Sequence, residues 1–286
     1  MNLNEKISII YDQIRWEEKR IYQEAKDRKV NIQLIDAKEI NFKTDTSKEE
    51  LKEIYGVVLQ RCVGFYRGLH ITAFLEAKGI TVINKFDTIN TCGNKLFTTL
   101  KLIENNLPVP KTSITFTTKS SLNALEELGY PVINKPLIGS WGRMVTILKD
   151  KQTANAIFEM KEIMNNPINN IHYNQEMIKC SGEDIRCIVI DNKLITAMSR
   201  KPIKGEWRAN VAKGATVSKY EITPELNRLV TLASKAVGGG ILGVDIMDSG
   251  NGLVINEING TVEFKGASTI SDTDIGKIII DYITSK

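Results

Sequence analysis

Gly243-Val244-Asp245-Ile246-Met247, the spacer Asp248-Ser249-Gly250-Asn251-Gly252, and Leu253-Val254-Ile255-Asn256-Glu257-Ile258-Asn259 read as two apolar strands joined by a turn. Glycine and asparagine supply the backbone conformations that a hairpin turn demands, so the two runs pair. Asp245 then lies across from Glu257 or Asn259. The latter two stand two residues apart and project from one face of their strand. An unpaired charge inside an apolar strand is expensive to bury. Two carboxylates and an amide facing one pocket suit a hard divalent ion such as Mg2+, which takes oxygen ligands and bridges phosphates. The plainer reading is that acidic residues merely bracket a turn, and the rest of the chain has to decide.

A chain of 286 residues exceeds one average domain, so two or three packed units are expected. With 42% hydrophobic and 25% charged residues it has the composition of an ordinary soluble protein. No run approaches the ~18 apolar residues of a membrane span. The N-terminus, with Glu5 close to Ile7, lacks a signal-peptide layout, which points to the cytoplasm. Cys62, Cys92, Cys180 and Cys187 show no paired metal spacing, and His70 and His172 are isolated. Zinc sites and nucleophilic Cys-His or Ser-His pairs are therefore not expected. The net charge of +4 comes from interspersed residues rather than a basic stripe. That argues against nucleic acid and fits anionic small molecules or an acidic protein partner.

Strand and helix alternate over the first ninety residues: strands at 7–11, 30–35, 54–59 and 81–84, helices at 17–27 and 69–78. This pattern predicts a small open α/β domain over residues 1–90. A second unit, 91–174, holds helices at 94–105, 121–128 and 153–164, with strands at 112–116, 130–134 and 144–148. A third, 175–286, holds strands at 185–190 and 194–200, a helix at 224–237 and the opening hairpin.

Lys135-Pro136-Leu137-Ile138-Gly139-Ser140-Trp141-Gly142-Arg143 is the second strong signal. A lysine ends a strand and a glycine-bearing loop follows, bringing a point charge and close-approaching backbone N–H groups to bear on phosphate. It matches neither a Walker A loop nor a dinucleotide fingerprint. Alone, such a segment is a turn as readily as a phosphate loop. Gln175-Glu176-Met177-Ile178 and Ser181-Gly182-Glu183-Asp184-Ile185-Arg186 are weak singly, as is Trp207-Arg208-Ala209-Asn210 in a lysine-rich loop.

In order, Gly93-Asn94-Lys95, Lys135-Pro136, the Gly-Ser-Trp-Gly-Arg loop, Gln-Glu-Met-Ile, Gly-Glu-Asp-Ile-Arg, Arg-Ala-Asn, Val-Asp and Asn-Glu-Ile-Asn resemble the ATP-grasp ligases over nearly the whole chain. The subgroup most resembled attaches amino acids to the C-terminal glutamate of an acidic amino-group carrier protein, in lysine or arginine biosynthesis. The resemblance implies an α/β (α+β) ATP-grasp fold behind the small N-terminal domain. It implies that Lys95 and Lys135 hold ATP phosphates under the loop Gly139, Ser140, Trp141, Gly142 and Arg143. Gln175, Glu176 and Ile178 would meet the adenine and Asp184 the ribose. Asp245, Glu257 and Asn259 would bind two Mg2+ ions, with Arg186, Arg208 and Asn210 at the acyl phosphate. Arg61, Arg67, Asn259, Gly260, Thr261 and Gly266 would face the amino acid.

Arg61-Cys62-Val63 and Thr261 resemble the α-aminoadipate type, whereas Gly266 resembles the glutamate type, so the reading leans to α-aminoadipate with glutamate as a second substrate. The loop from Lys201 to Ala215 is the candidate lid. Members of this fold commonly self-associate, which implies a homo-oligomer. Other readings are a glutamate-specific carrier ligase, a ligase adding glutamate to a ribosomal protein or peptide, and, in a different class, a nucleotide-binding regulatory module without catalysis.

Overall fold

The computed structural model describes residues 6–164, 166–178, 183–203, 205–206 and 214–286. Its first layer runs β1 (Ile7–Tyr11), α1 (Trp16–Asp27), β2 (Ile32–Asp36), α2 (Lys48–Tyr55), β3 (Val57–Gln60), α3 (Phe65–Ala77) and β4 (Val82–Ile83). The strands form a parallel sheet in the order β2-β1-β3-β4. The strand expected from Ile54 begins later, because Ile54 and Tyr55 close α2. Ser47 caps that helix by accepting from the Glu50 amide at 3.2 Å. Gly56 ends it at φ +61, where a Cβ would lie 1.8 Å from the Lys6 carbonyl oxygen. In an open parallel sheet ligands gather beyond the carboxyl ends of the strands. Here those ends deliver Arg15 after β1 and Gln60 to Val63 after β3.

The middle of the chain runs α4 (Phe86–Gly93), α5 (Lys95–Glu104), β5 (Thr112–Thr115), α6 (Thr118–Leu128), β6 (Val132–Lys135), β7 (Thr146–Leu148), α7 (Lys151–Ile163), a 3-10 turn (Pro167–Asn170) and β8 (His172–Glu176). Its antiparallel sheet, β5-β8-β6-β7, packs on α6 and α7 through Leu125, Val132, Leu148, Ala154 and Phe158. The sequence pattern does not announce α4: Phe-Asp-Thr-Ile-Asn-Thr-Cys-Gly is poor in helix formers, and burial of Thr88, Ile89 and Cys92 holds it.

The third sheet contains β9 (Asp184–Ile190), β10 (Lys193–Lys201), β11 (Thr216–Lys219), β12 (Ile241–Asp248) and β13 (Leu253–Asn259), with order β11-β10-β9-β12-β13 and antiparallel pairing throughout. Alternation sorts its side chains. Ile185, Cys187, Val189, Leu242, Val244 and Ile246 face the helix α8 (Pro224–Ala236) through Leu226, Val230 and Ala233. Ile188, Ile190 and Ile241 face a second core shared with β1 and α1. The short α9 (Lys265–Ser268) leads to α10 (Ile275–Ile283), whose isoleucines join Ile21 and Ala25 of α1 in that core.

Two polar pins fix the layers relative to one another. Asn84 donates to the carbonyls of Ile241 at 2.8 Å and Gly260 at 2.7 Å, and accepts from the Ile241 amide at 2.7 Å. Arg61, its side chain 3% exposed, donates to Glu18 at 3.0 Å and to the Val262 carbonyl at 3.0 Å. Arg61→Met removes one of the two guanidiniums on Glu18 and leaves the Val262 carbonyl without its donor, so it is expected to cost about 2 kcal/mol in urea unfolding. Burial alone would raise the Glu18 carboxyl, but Arg15 and Arg61 outweigh it and hold it below its ordinary 4.5. A carboxyl depressed in the folded state stabilises the fold above its ordinary value. The contribution is lost as pH falls below about 4.5, and urea titrations across that range in wild type and Arg61→Met check it.

Candidate active site

One cavity of about 1180 Å³ lies where the three sheets meet. From the hairpin, Asp245 pairs with Glu257 on one side and with Arg186 of β9 on the other. The register slips between Asp245/Glu257 and Ile246/Ile255, leaving Asn256 as an extra residue. Such a bulge re-aims side chains: Ile255 returns to the apolar core, while Asn256, Glu257 and Asn259 all line the cavity.

Charges converge there. Arg186 grips both Asp245 oxygens, with Nη2 2.7 Å from Oδ2. Arg200 lies 3.1 Å from the same oxygen and holds Asp184 through both of its carboxylate oxygens at 2.5–2.6 Å. Burial would raise the Asp245 carboxyl, but the two guanidiniums outweigh it and keep it below the ordinary value. From the middle sheet, Lys135 Nζ donates to Gln175 Oε1 at 2.5 Å and Asn256 Oδ1 at 2.8 Å. Burial depresses that ammonium to about 8, against the attraction of Glu257. Asn94 caps α5 by accepting from the Leu96 amide at 3.0 Å. The cap sets Lys95 with Nζ 3.2 Å from Glu257 and 3.0 Å from the Gly139 carbonyl.

Gly139 to Arg143 form the cavity's roof, with Trp141 and Gly142 at φ +58 and +66 and the Arg143 guanidinium 4.8 Å from the Trp141 ring centroid. Two ammoniums thus lie under a glycine-bearing loop beside a carboxylate pair, a combination whose chemistry suits phosphate together with cations.

A family model described as the RimK-like ATP-grasp domain matches residues 92–283. The chain belongs to this family. A LysX preATP-grasp domain model matches residues 7–91 of the same RimK-like ATP-grasp protein. Among curated relatives, the glutamate–LysW ligase ArgX of Sulfurisphaera tokodaii is 36% identical over 279 residues, covering 97% of this chain and 98% of the relative. The α-aminoadipate–LysW ligase LysX of Saccharolobus solfataricus is 33% identical, covering 93% and 96%. A solved RimK-domain ATP-grasp protein from Sphaerobacter thermophilus has the same fold, with TM-score 0.81 at 21% identity over 97% and 98% of the two chains. Like these curated relatives, the RimK-like protein is an ATP-dependent ligase.

Most of the expected site residues of this RimK-like ligase meet in the cavity: Lys95, Lys135, the Gly139–Arg143 loop, Gln175, Glu176, Ile178, Asp184, Arg186, Asp245, Glu257, Asn259, Gly260, Thr261 and Gly266 all line it. Three residues expected at the nucleoside, like the charged ones above, are engaged by protein partners. Gln175 spends its side chain on Lys135, Tyr173 and Thr112. Glu176 accepts from the Lys111 amide at 2.7 Å, and Asp184 is held by Arg200.

Arg61 and Arg67 are not in the cavity wall. The first is the buried pin described above, and the second pairs at 2.8 Å with Asp12, a buried carboxylate that also accepts from the Val63 and Gly64 amides. Arg208, Asn210 and most of the 201–215 lid candidate lie outside the described residues.

Arg200, Asn256, Arg15 and Glu263 line the cavity without having been singled out. Arg200 carried no comparable signal, since it lies between Ser199 and Lys201 at the polar end of its strand.

The donors suit magnesium. Asp245, Glu257 and Asn259 offer hard oxygens on one wall, and the Asn259 amide nitrogen is buried without a hydrogen-bond partner. A half-turn of an amide exchanges its nitrogen and oxygen, so the orphaned position accommodates an oxygen facing a cation. Among the described residues no three His, Cys, Asp or Glu side chains converge on a metal-sized site; the set here is two carboxylates and an amide. Nor is any described helix long and apolar enough to cross a membrane.

Proposed function

We propose that the protein joins the α-amino group of an acidic amino acid, glutamate or α-aminoadipate, to the side-chain carboxylate of the C-terminal glutamate of an acidic carrier protein. The observation that carries this reading is the meeting, in one cavity, of Lys95 and Lys135 with Asp245 and Glu257. Beside it stands the names of the relatives, LysW ligases using either acid.

ATP is the first substrate. Its γ-phosphoryl group passes to the carrier carboxylate, making an acyl phosphate and ADP. The amine then attacks the acyl carbon, loses a proton, and phosphate leaves. Lys135 and Lys95 bind and orient the phosphates beneath the Ser140–Arg143 loop, which excludes water. Arg186 and Arg200 face the transferring group and offset charge gathering on its oxygens. Asp184, clamped to Arg200, keeps that guanidinium aimed at the cavity. Asp245, Glu257 and Asn259 would hold magnesium, two ions on this reading, which would supply positive charge to offset that of the phosphates. The assembly proposed around these parts has a domain of residues 1–90 and two subdomains, 91–174 and 175–286, with the cavity between them.

The choice between acids turns on few atoms. Arg61 is buried away from the cavity, so its identity bears on packing rather than on substrate length. At Gly266 a Cβ would meet Met198 and Val217 at 3.6–3.8 Å, ordinary contact, so a side chain there is not sterically forbidden and glycine does not by itself fix the length of the acid. One methylene in a pocket is worth about 1–3 kcal/mol. Both acids are therefore expected as substrates, with catalytic efficiencies within about 200-fold of each other on one carrier. Mass spectrometry of the carrier after reaction tests the reading: one amino-acid residue gained on the C-terminal glutamate supports it, and an unmodified carrier after ATP consumption contradicts it.

A further inference from the structure

The amino-acid end of the cavity contains a contact that the proposed reaction does not use. Arg15 stands at the start of α1, its side chain 16% exposed. Its inner edge is fully engaged: Nε and Nη2 donate to Glu18 at 3.1 and 2.8 Å. Its outer nitrogen, Nη1, meets Glu263 Oε1 at 3.4 Å. Charge-assisted N–H···O contacts close to about 2.7–2.9 Å when well formed, so this one is slack. The Glu263 side chain is 41% exposed, and such a pair in water is weak.

Two acids and two guanidiniums meet around it. Glu18 faces two guanidiniums, Arg15 and Arg61. The other nearby acid, Glu17, accepts from the Phe264 and Lys265 amides at 3.1 and 3.0 Å. Glu17 and Glu18 together match the charges of Arg15 and Arg61, yet the outer nitrogen of Arg15 lines the cavity and is met there only loosely, by Glu263. Glu263 follows closely on Gly260 and Thr261 in the same cavity wall. The same Oε1 also accepts from Trp141 Nε1 of the phosphate loop at 3.1 Å. Trp141 holds that position at φ +58, a region unfavourable to any residue with a side chain.

We propose that Arg15 anchors the side-chain carboxylate of the acidic amino acid, and that Glu263 occupies that anchor until the substrate displaces it, releasing Trp141 and so reporting amino-acid binding to the phosphate loop. This rests on the acidic-amino-acid reading above. A carboxylate from the protein thus stands where a substrate carboxylate binds. An amide side chain, as in glutamine, gains little from the exchange because it brings no charge to the guanidinium.

Steady-state kinetics with glutamate and glutamine as amino-acid substrates, with full-length protein, carrier and ATP, test it. Arg15→Gln is expected to lower kcat/KM for glutamate by about 100-fold while leaving that for glutamine and the KM for ATP within about threefold, so that selectivity for the acid collapses. Retained selectivity, or an ATP KM rising in step, overturns the proposal. Glu263→Gln, at a half-exposed position, keeps an acceptor for Trp141 but removes the competing charge. Its KM for glutamate is expected to fall at least about threefold, and an unchanged or higher KM overturns the proposal even where Arg15→Gln does not fold. A wild-type protein that ligates no acidic amino acid sinks the functional reading itself. One that does, with selectivity intact in Arg15→Gln, sinks only the role of Arg15.

Discussion

Asp245→Asn is expected to lower turnover by about a thousandfold or more, the scale of removing a preorganised charge from a site of phosphoryl transfer. The substitution is nearly isosteric, so it tests charge rather than shape. Asp245 is buried, with Arg186 and Arg200 both upon it. Removing its charge leaves two neighbouring guanidiniums on one wall with only Asp184 to offset them, and a loss of about 3 kcal/mol in stability should accompany the loss of activity. Unfolding should remain a single cooperative transition, since the apolar faces of β9 and β12 are untouched. Turnover within tenfold of wild type, with magnesium dependence unchanged, would remove Asp245 from the metal site and reduce it to a partner of the two arginines.

Lys135→Met carries the second large effect, and it has a pH signature. Burial depresses the Lys135 ammonium from 10.5 to about 8. The charged form, which phosphate prefers, therefore dominates below pH 8 and is lost as pH rises through it. In the wild type kcat/KM for ATP, which reports the free enzyme, should decline on the alkaline side of about 8. Lys135→Met should lose about 100-fold in kcat/KM for ATP at pH 7 and lose that decline as well, because the titrating group is gone. A decline that survives the substitution assigns it to another group.

The opening hairpin was legible because its information is local. The turn residues sit between two apolar runs, and a period of two puts Glu257 and Asn259 on one face. The bulge at Asn256 was not legible, since it depends on the register that β12 imposes. Yet it is what turns Ile255 into the core and Asn256 toward Lys135. Lys135 could be read as a candidate phosphate partner from its place at a strand end before a glycine-bearing loop, whereas Lys95 entered only through the resemblance to the ATP-grasp ligases. The partners that hold Lys135, at Gln175 and Asn256, come from two different sheets. Arg61 shows the limit most clearly. An arginine at the end of a strand looks the same in sequence whether it faces a ligand or a buried glutamate, and Glu18, 43 residues away, decides the matter. Arg15 and Glu263 meet across 248 positions, so no pattern along the chain relates them. The helix α4 escaped for a different reason, because its propensity is low and its packing sustains it.

The central claim is that this ligase spends ATP only when an acidic amino acid and a carrier ending in glutamate are both present. The direct measurement is ADP release with purified protein, omitting each reactant in turn and exchanging the terminal glutamate of the carrier for glutamine. ADP should appear with the complete set, with glutamate or α-aminoadipate, and fall to background with either omission or with the exchanged carrier. ADP released at an undiminished rate with the carrier ending in glutamine would contradict the account.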